Sequence, residues 1–214
     1  MNDEAAAHYV GIIDQMSLGL RLLNNTFGEC GNPNIAWQID PFGHSKEQAH
    51  LFAKMGFDAL FFARLDYRDK LKRKEENSME MIWKTSDEDE ETSLLTGVLF
   101  NEYGPPPGYC WDLPCNDDPI IDAQYAFDNN IDKRAEDFVQ FVTEQSSSYL
   151  TNHVLVTMGE DFQYQAAHSW FQNMDKLILY INSQQERFGI NIFYSTPGNY
   201  ITHKVDLLGA YLIN

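Results

Sequence analysis

Apolar residues recur along the chain first at a helical interval and then in short runs. Ile12, Met16, Leu20 and Leu23 are spaced 4, 4 and 3 apart, which lays them along one helix face. Asn2 or Asp3 stands where an N-cap belongs, so this helix is predicted to open the chain. "NIAWQI" (Asn34 to Ile39) is short, apolar and closed by Asp40-Pro41, the profile of a buried strand. Ser45-Lys46-Glu47-Gln48 reads as a capping box for a helix from Lys46 to Met55, with Gly56 as its stop. "DALFFA" (Asp58 to Ala63) is the next strand and runs into Arg64. Strand, helix and strand at this spacing predict a βαβ unit with parallel strands.

The alternation resumes after an interruption. Lys70 to Trp83 is charged and predicted helical, and it leads into the acidic run "SDEDEE" (Ser86 to Glu91), then "LLTGVLF". The stretch "YGPPPGYCWDLPCNDDP" follows, and residues 66–119 together read as a long insertion at one end of the sheet. Long insertions there tend to carry binding function. Beyond it, Asp132 to Glu144 and Gln165 to Gln185 are predicted helices, the second with Phe171, Met174, Leu177, Ile178 and Ile181 on one face. "HVLVTM" (His153 to Met158) and "INIFYS" (Ile190 to Ser195) are predicted strands. The order gives an α/β protein with a mostly parallel sheet.

Charge narrows the partners. The balance is 15 − 32 = −17, so a nucleic-acid backbone would be repelled, and no apolar run is long enough to span a bilayer. The opening "MNDEAAAHYV" lacks the basic and apolar regions of a signal peptide. A chain that starts directly on a packed helix is expected to be an internal piece of a longer one. Cys110 and Cys115 are too few for a structural zinc centre and favour a short local disulfide, hence a secretory or endomembrane setting. The sequon Asn24-Asn25-Thr26 fits that setting, and Cys30 has no obvious partner.

Three predicted strands are followed by reactive residues: Asp40, Arg64 and the pair Glu160-Asp161. Parallel strands bring their carboxyl ends to one rim, where α/β folds bind ligands. Each residue also has an ordinary use. Asp40 can open a turn with Pro41, Arg64 can be a surface cation, and Glu160-Asp161 can cap the next helix. His44 beside Ser45 suits a loop-ordering hydrogen bond, His153 a structural place in its strand, and His168 packing on a helix. Two acids with an arginine suit glycoside hydrolysis, and equally suit oxygen-rich metal ligation. Residue types alone leave both open. A metal-dependent polysaccharide deacetylase would need histidines grouped with an aspartate, and the six histidines show no such grouping.

"AWQIDPFGHSKEQAHLFAKMGFDALFFARLDYRDK" carries a specific strand-turn, W-x-I-D-P-F-G-H-S, at Trp37 to Ser45. With "LTGVLFNEYGPPPGYCWDLPC", "TNHVLVTMGEDFQY", "WFQNMDKLILYIN" and "YSTP", it closely resembles glycoside hydrolase family 38, the class II α-mannosidases, in their lysosomal-type branch. The resemblance covers essentially the whole chain. It implies part of one N-terminal catalytic domain: a seven-stranded (β/α) barrel without its first strand. It implies a retaining α-mannosidase acting on N-glycan mannose, with Asp40 as nucleophile and Asp161, in the "G-x-D-F" turn, as general acid/base. Arg64 matches an arginine that contacts the nucleophile, Tyr103 an active-site tyrosine, and Cys110 with Cys115 a family disulfide. One zinc ion with four protein ligands is implied, of which Asp40 is the one found here. By itself the chain is therefore expected neither to hydrolyse mannosides nor to bind zinc tightly. A degenerate, non-catalytic chain is the alternative.

Overall fold

The first βαβ unit forms as the apolar pattern predicts. In the computed structural model, which describes residues 1–86, 92–115 and 117–208, strand β1 (Ile35–Gln38) pairs in parallel with β2 (Ala59–Phe62). Helix α2 (Lys46–Lys54) connects them and ends before Gly56, whose φ of +85° is open to glycine at no steric cost. The acidic run, beyond Ser86, lies outside the described residues. Helix α1 (Tyr9–Phe27) precedes this unit. It starts later than a cap at Asn2 or Asp3 predicts, because His8 is the N-cap and accepts from Val10 N at 3.2 Å. Asp3 Oδ1 instead accepts from Ala5 N and Ala6 N, closing a separate turn.

The capping box at α2 is only half made. Ser45 Oγ accepts from Glu47 N, but the Gln48 side chain does not return to the Ser45 amide. It accepts from Asn2 Nδ2 at 2.8 Å, while Ser45 N donates to Glu4 Oε2 at 2.6 Å. A carboxylate 41 residues upstream does the work that the local motif assigned to Gln48.

The stretch from Lys70 to Trp83 is not one helix. Asp66 caps α3 (Tyr67–Glu75), accepting from Arg68 N and Asp69 N. Asn77, at φ +54°, breaks it, and the chain turns into β3 (Glu80–Trp83). β4 (Leu94–Val98), the core of "LLTGVLF", then lies parallel to β2 and antiparallel to β3. The sheet is four-stranded, in the order β1-β2-β4-β3, open and mostly parallel. Helix α3 and strands β3 and β4 thus add scaffold. Gly97 is required in β4, because a Cβ there would stand 2.3 Å from the Phe61 ring.

Helices α4 (Ile131–Ser146), α5 (Ala167–Ser183), α6 (Gln185–Phe188) and α7 (Pro197–Leu208) complete the order. The segments 153–158 and 190–195 are not strands among the described residues. Side chains replace ladder partners there. Leu155 O accepts from Gln145, Met158 O from Tyr164, and Asn182 holds both the N–H and the carbonyl of Ile192. On α5, Trp170, Asn173, Met174, Leu177 and Ile181 are buried, whereas Phe171 is exposed, one position off the expected face.

The residues fall into two compact units. The first joins Met1–Glu102, Ser148–Thr151 and the chain from Pro197, with Ala36, Ala49, Phe52, Phe57, Leu60 and Leu94 in its core. In it, α7 is anchored by Lys204, which donates from a fully buried position to Glu80 on β3. Tyr200 also donates to Glu80, at 2.7 Å, and Tyr149 and Tyr200 place their rings 4.9 Å from the Lys204 ammonium. The second unit, Tyr103–Ser147 with Asn152–Thr196, packs α4 against α5 around Trp111, Phe138, Trp170 and Leu177. Among the described residues no helix is long and apolar enough to cross a membrane.

Candidate active site

Two strand ends of the first unit carry charge. Asp40 stands two residues past β1 and Arg64 two past β2, so parallel pairing sets them side by side. Arg64 Nε and Nη2 both donate to Asp40 Oδ1, at 2.7 and 2.5 Å. Both side chains remain about one-third exposed, at 35% and 36%, so the pair can meet a ligand. The guanidinium also lies 4.7 Å from the Phe42 ring centroid, and Phe42 is itself exposed.

A second acid reaches this rim. Glu102, just past β4, places Oε2 3.8 Å from Arg64 Nη1. Nearby, burial pushes the Lys70 ammonium down and the Glu102 carboxylate partly offsets it. Lys70 donates to Ala63 O at 3.3 Å, bracing the end of β2.

His44 ties the rim to the start of the chain. Its Nε2 is 2.9 Å from Arg64 O and its Nδ1 is 3.0 Å from Glu4 Oε1. Carbonyl and carboxylate oxygens only accept, so both contacts are hydrogen bonds together only when both ring nitrogens carry protons. The loop-ordering reading of His44 therefore holds, with Arg64 as the residue ordered. Glu4, 3% exposed, also accepts from Gln38 Nε2 at 3.0 Å and from Ser45 N. Nothing in "MNDEAAA" marks Glu4 for this role, since its partners lie 34 to 41 residues away. Glu102 could have been found, had "LLTGV" been read as a third parallel strand.

Asp161 lies in the second unit, exposed on the turn after residue 158. Phe162 and Tyr164 flank that turn at φ +59° and +67°, a left-handed region costly for aromatic residues. The surroundings hold it there. Tyr164 donates to Met158 O at 2.6 Å and stacks on Trp170 with ring centroids 5.2 Å apart. Gln165 Nε2 donates to Phe162 O. Gln163 N donates to Glu160 O, and the Gln163 side chain meets Cys115 Sγ.

Cys115 is disulfide-bonded to Cys110, their Cα atoms 5.7 Å apart. Between them, Asp112 accepts from Leu113 N, Ala166 N and Trp170 Nε1 at 2.7, 3.1 and 3.0 Å. Burial pushes the Asp112 carboxyl up, but these hydrogen bonds outweigh it and leave it below its ordinary value. Tyr103, also in the second unit, is 9% exposed. The first unit brings Asp40 and Arg64 together, while Asp161 and Tyr103 belong to the second. His168 is exposed on α5 rather than packed.

Residues 1–206 match the N-terminal domain of the glycosyl hydrolases of family 38. The chain belongs to glycosyl hydrolase family 38. Among its family 38 relatives, the lysosomal alpha-mannosidase of Cavia porcellus is 52% identical over 204 residues, 94% of this chain. The lysosomal alpha-mannosidase of Homo sapiens is 50% identical over 204 residues, again 94% of this chain, and an alpha-mannosidase of Arabidopsis thaliana is 43% identical over 206 residues, 95% of it. The chain spans 20% of the length of each of these relatives.

Proposed function

We propose that this chain is the central part of the catalytic domain of a retaining α-mannosidase that removes terminal α-mannose from N-glycans in the lysosome. The observation that carries the reading is the Asp40–Arg64 pair at the ends of two parallel strands in a family 38 chain. The names of its relatives support the substrate class and the compartment, and the Cys110–Cys115 disulfide supports an oxidising one. On this reading the open sheet is part of a seven-stranded barrel, residues 1–214 belong to one domain, and the rim segment within 66–119 faces the substrate.

Asp40 is the nucleophile. Its carboxylate attacks the anomeric carbon, the glycosidic bond breaks, and Asp161 donates a proton to the departing oxygen. Asp161 then takes a proton from water, which attacks the same carbon and frees Asp40 with configuration retained. Arg64 fixes the attacking carboxylate, and Tyr103 contacts the sugar. A zinc ion of this family would be held in part by Asp40 and would grip sugar hydroxyls. Among the described residues no three of His, Cys, Asp and Glu converge as a metal site, and on this reading further ligands come from the rest of the longer protein.

A fluorinated α-mannosyl fluoride that forms a slow covalent adduct tests the assignment in the longer protein. A mass-spectrometric label on Asp40 is expected. An active enzyme labelled on another carboxylate would sink it.

A further inference from the structure

Asn24-Asn25-Thr26 is the chain's single Asn-x-Ser/Thr triplet, and the proposed hydrolysis leaves it unused. It occupies the last turn of α1, where all three residues are exposed. Asn24 Oδ1 accepts from Asn32 Nδ2 at 3.3 Å, while the Asn24 amide nitrogen donates no hydrogen bond among the described residues. Thr26 Oγ1 donates to Leu22 O at 2.8 Å and keeps its oxygen available as an acceptor. Gly28, at φ +71°, stops the helix two residues further on. The terminal turn is where a helix frays most easily. The same helix leaves Leu18, Leu22 and Phe27 bare at 67, 63 and 61% exposure. A covering that holds water would offset that apolar surface.

We propose that Asn24 carries an N-linked oligosaccharide. The Cys110–Cys115 disulfide belongs to the oxidising compartment in which such groups are attached. Asn24 Nδ2 attacks the anomeric carbon of a lipid-linked oligosaccharide pyrophosphate. The Nδ2–carbon bond forms, the carbon–oxygen bond breaks, and the lipid pyrophosphate leaves with the electron pair. The amide proton passes to a base on the transferring enzyme. Oδ1 stays a carbonyl, so the Asn32 contact survives. The inference rests on the secretory setting of the proposed function, not on hydrolysis of any mannoside.

The test takes the protein from its own cells and digests it with an amidase that cuts the sugar–asparagine bond, in heavy-oxygen water. Mass spectrometry should find labelled Asp at position 24, and unmodified Asn24 as the main form overturns the proposal. In cells that secrete the recombinant chain, Asn24→Gln and Thr26→Ala should abolish the mobility shift removed by the amidase, and Thr26→Ser should keep it. A shift that persists in Asn24→Gln also overturns it. Active longer mannosidase with bare Asn24 refutes this site alone, and a longer protein that is glycosylated at Asn24 but inactive refutes the hydrolase reading alone.

Discussion

Arg64 spends two donors, Nε and Nη2, on a single oxygen of Asp40, Oδ1. A carboxylate held this way keeps one orientation, which a nucleophile needs in order to meet a carbon along a defined line. The arginine is in turn fixed through its own carbonyl by His44.

Arg64→Lys retains the charge but cannot present two donors to one oxygen. In the longer protein it is expected to lower kcat/KM on an aryl α-mannoside roughly a hundredfold, mostly in kcat. Steady-state kinetics decide this, and wild-type kcat in the lysine variant would remove Arg64 from the positioning role.

Glu4→Ala leaves Gln38, His44 and Ser45 without a shared buried acceptor. Stranding such donors should cost on the order of 3 kcal/mol. Thermal unfolding of the variant against the wild type measures it. An unchanged Tm means that water replaces the carboxylate.

Asp112 carries an acid-side signature. Its carboxyl is held lower in the fold than its ordinary 3.8, so its contribution is complete above 3.8 and is lost as the pH falls through the lowered value. Asp112→Asn also turns an amide donor toward the donors at Leu113, Ala166 and Trp170. The variant should melt lower at neutral pH and lose less stability than the wild type on acidification below 3.8. Parallel melting curves for the two proteins would contradict this.

The Lys204–Glu80 pair is nearly dry, with side chains 1% and 8% exposed. Lys204→Met alone strands a buried carboxylate and should cost about 3 kcal/mol or more. Lys204→Met with Glu80→Gln should recover much of that loss. Chemical denaturation of the single and double variants gives the coupling, and strict additivity would show that the two residues do not act together.

The pattern that was legible is local. β1, α2 and β2 could be read because apolar runs and stop signals lie within a few residues of one another. Asp40 and Arg64 followed from that frame. The Cys110–Cys115 bridge was legible from spacing. "HVLVTM" and "INIFYS" have strand composition, yet a ladder requires a partner, and Gln145, Tyr164 and Asn182 satisfy those backbones instead. β4 went unread because Gly97 interrupts its run, and that glycine exists for the Phe61 ring of the neighbouring strand. Glu4 was invisible for the same reason: its partners are distant along the chain.

Lys204 is synthesised 124 residues after Glu80. The first unit is therefore finished only when its closing helix leaves the ribosome, whereas every residue of the second has been made by then. Translation order favours the second unit folding early, while the sheet with Asp40 waits, its Glu80 carboxylate still wet, for the helix that seals it.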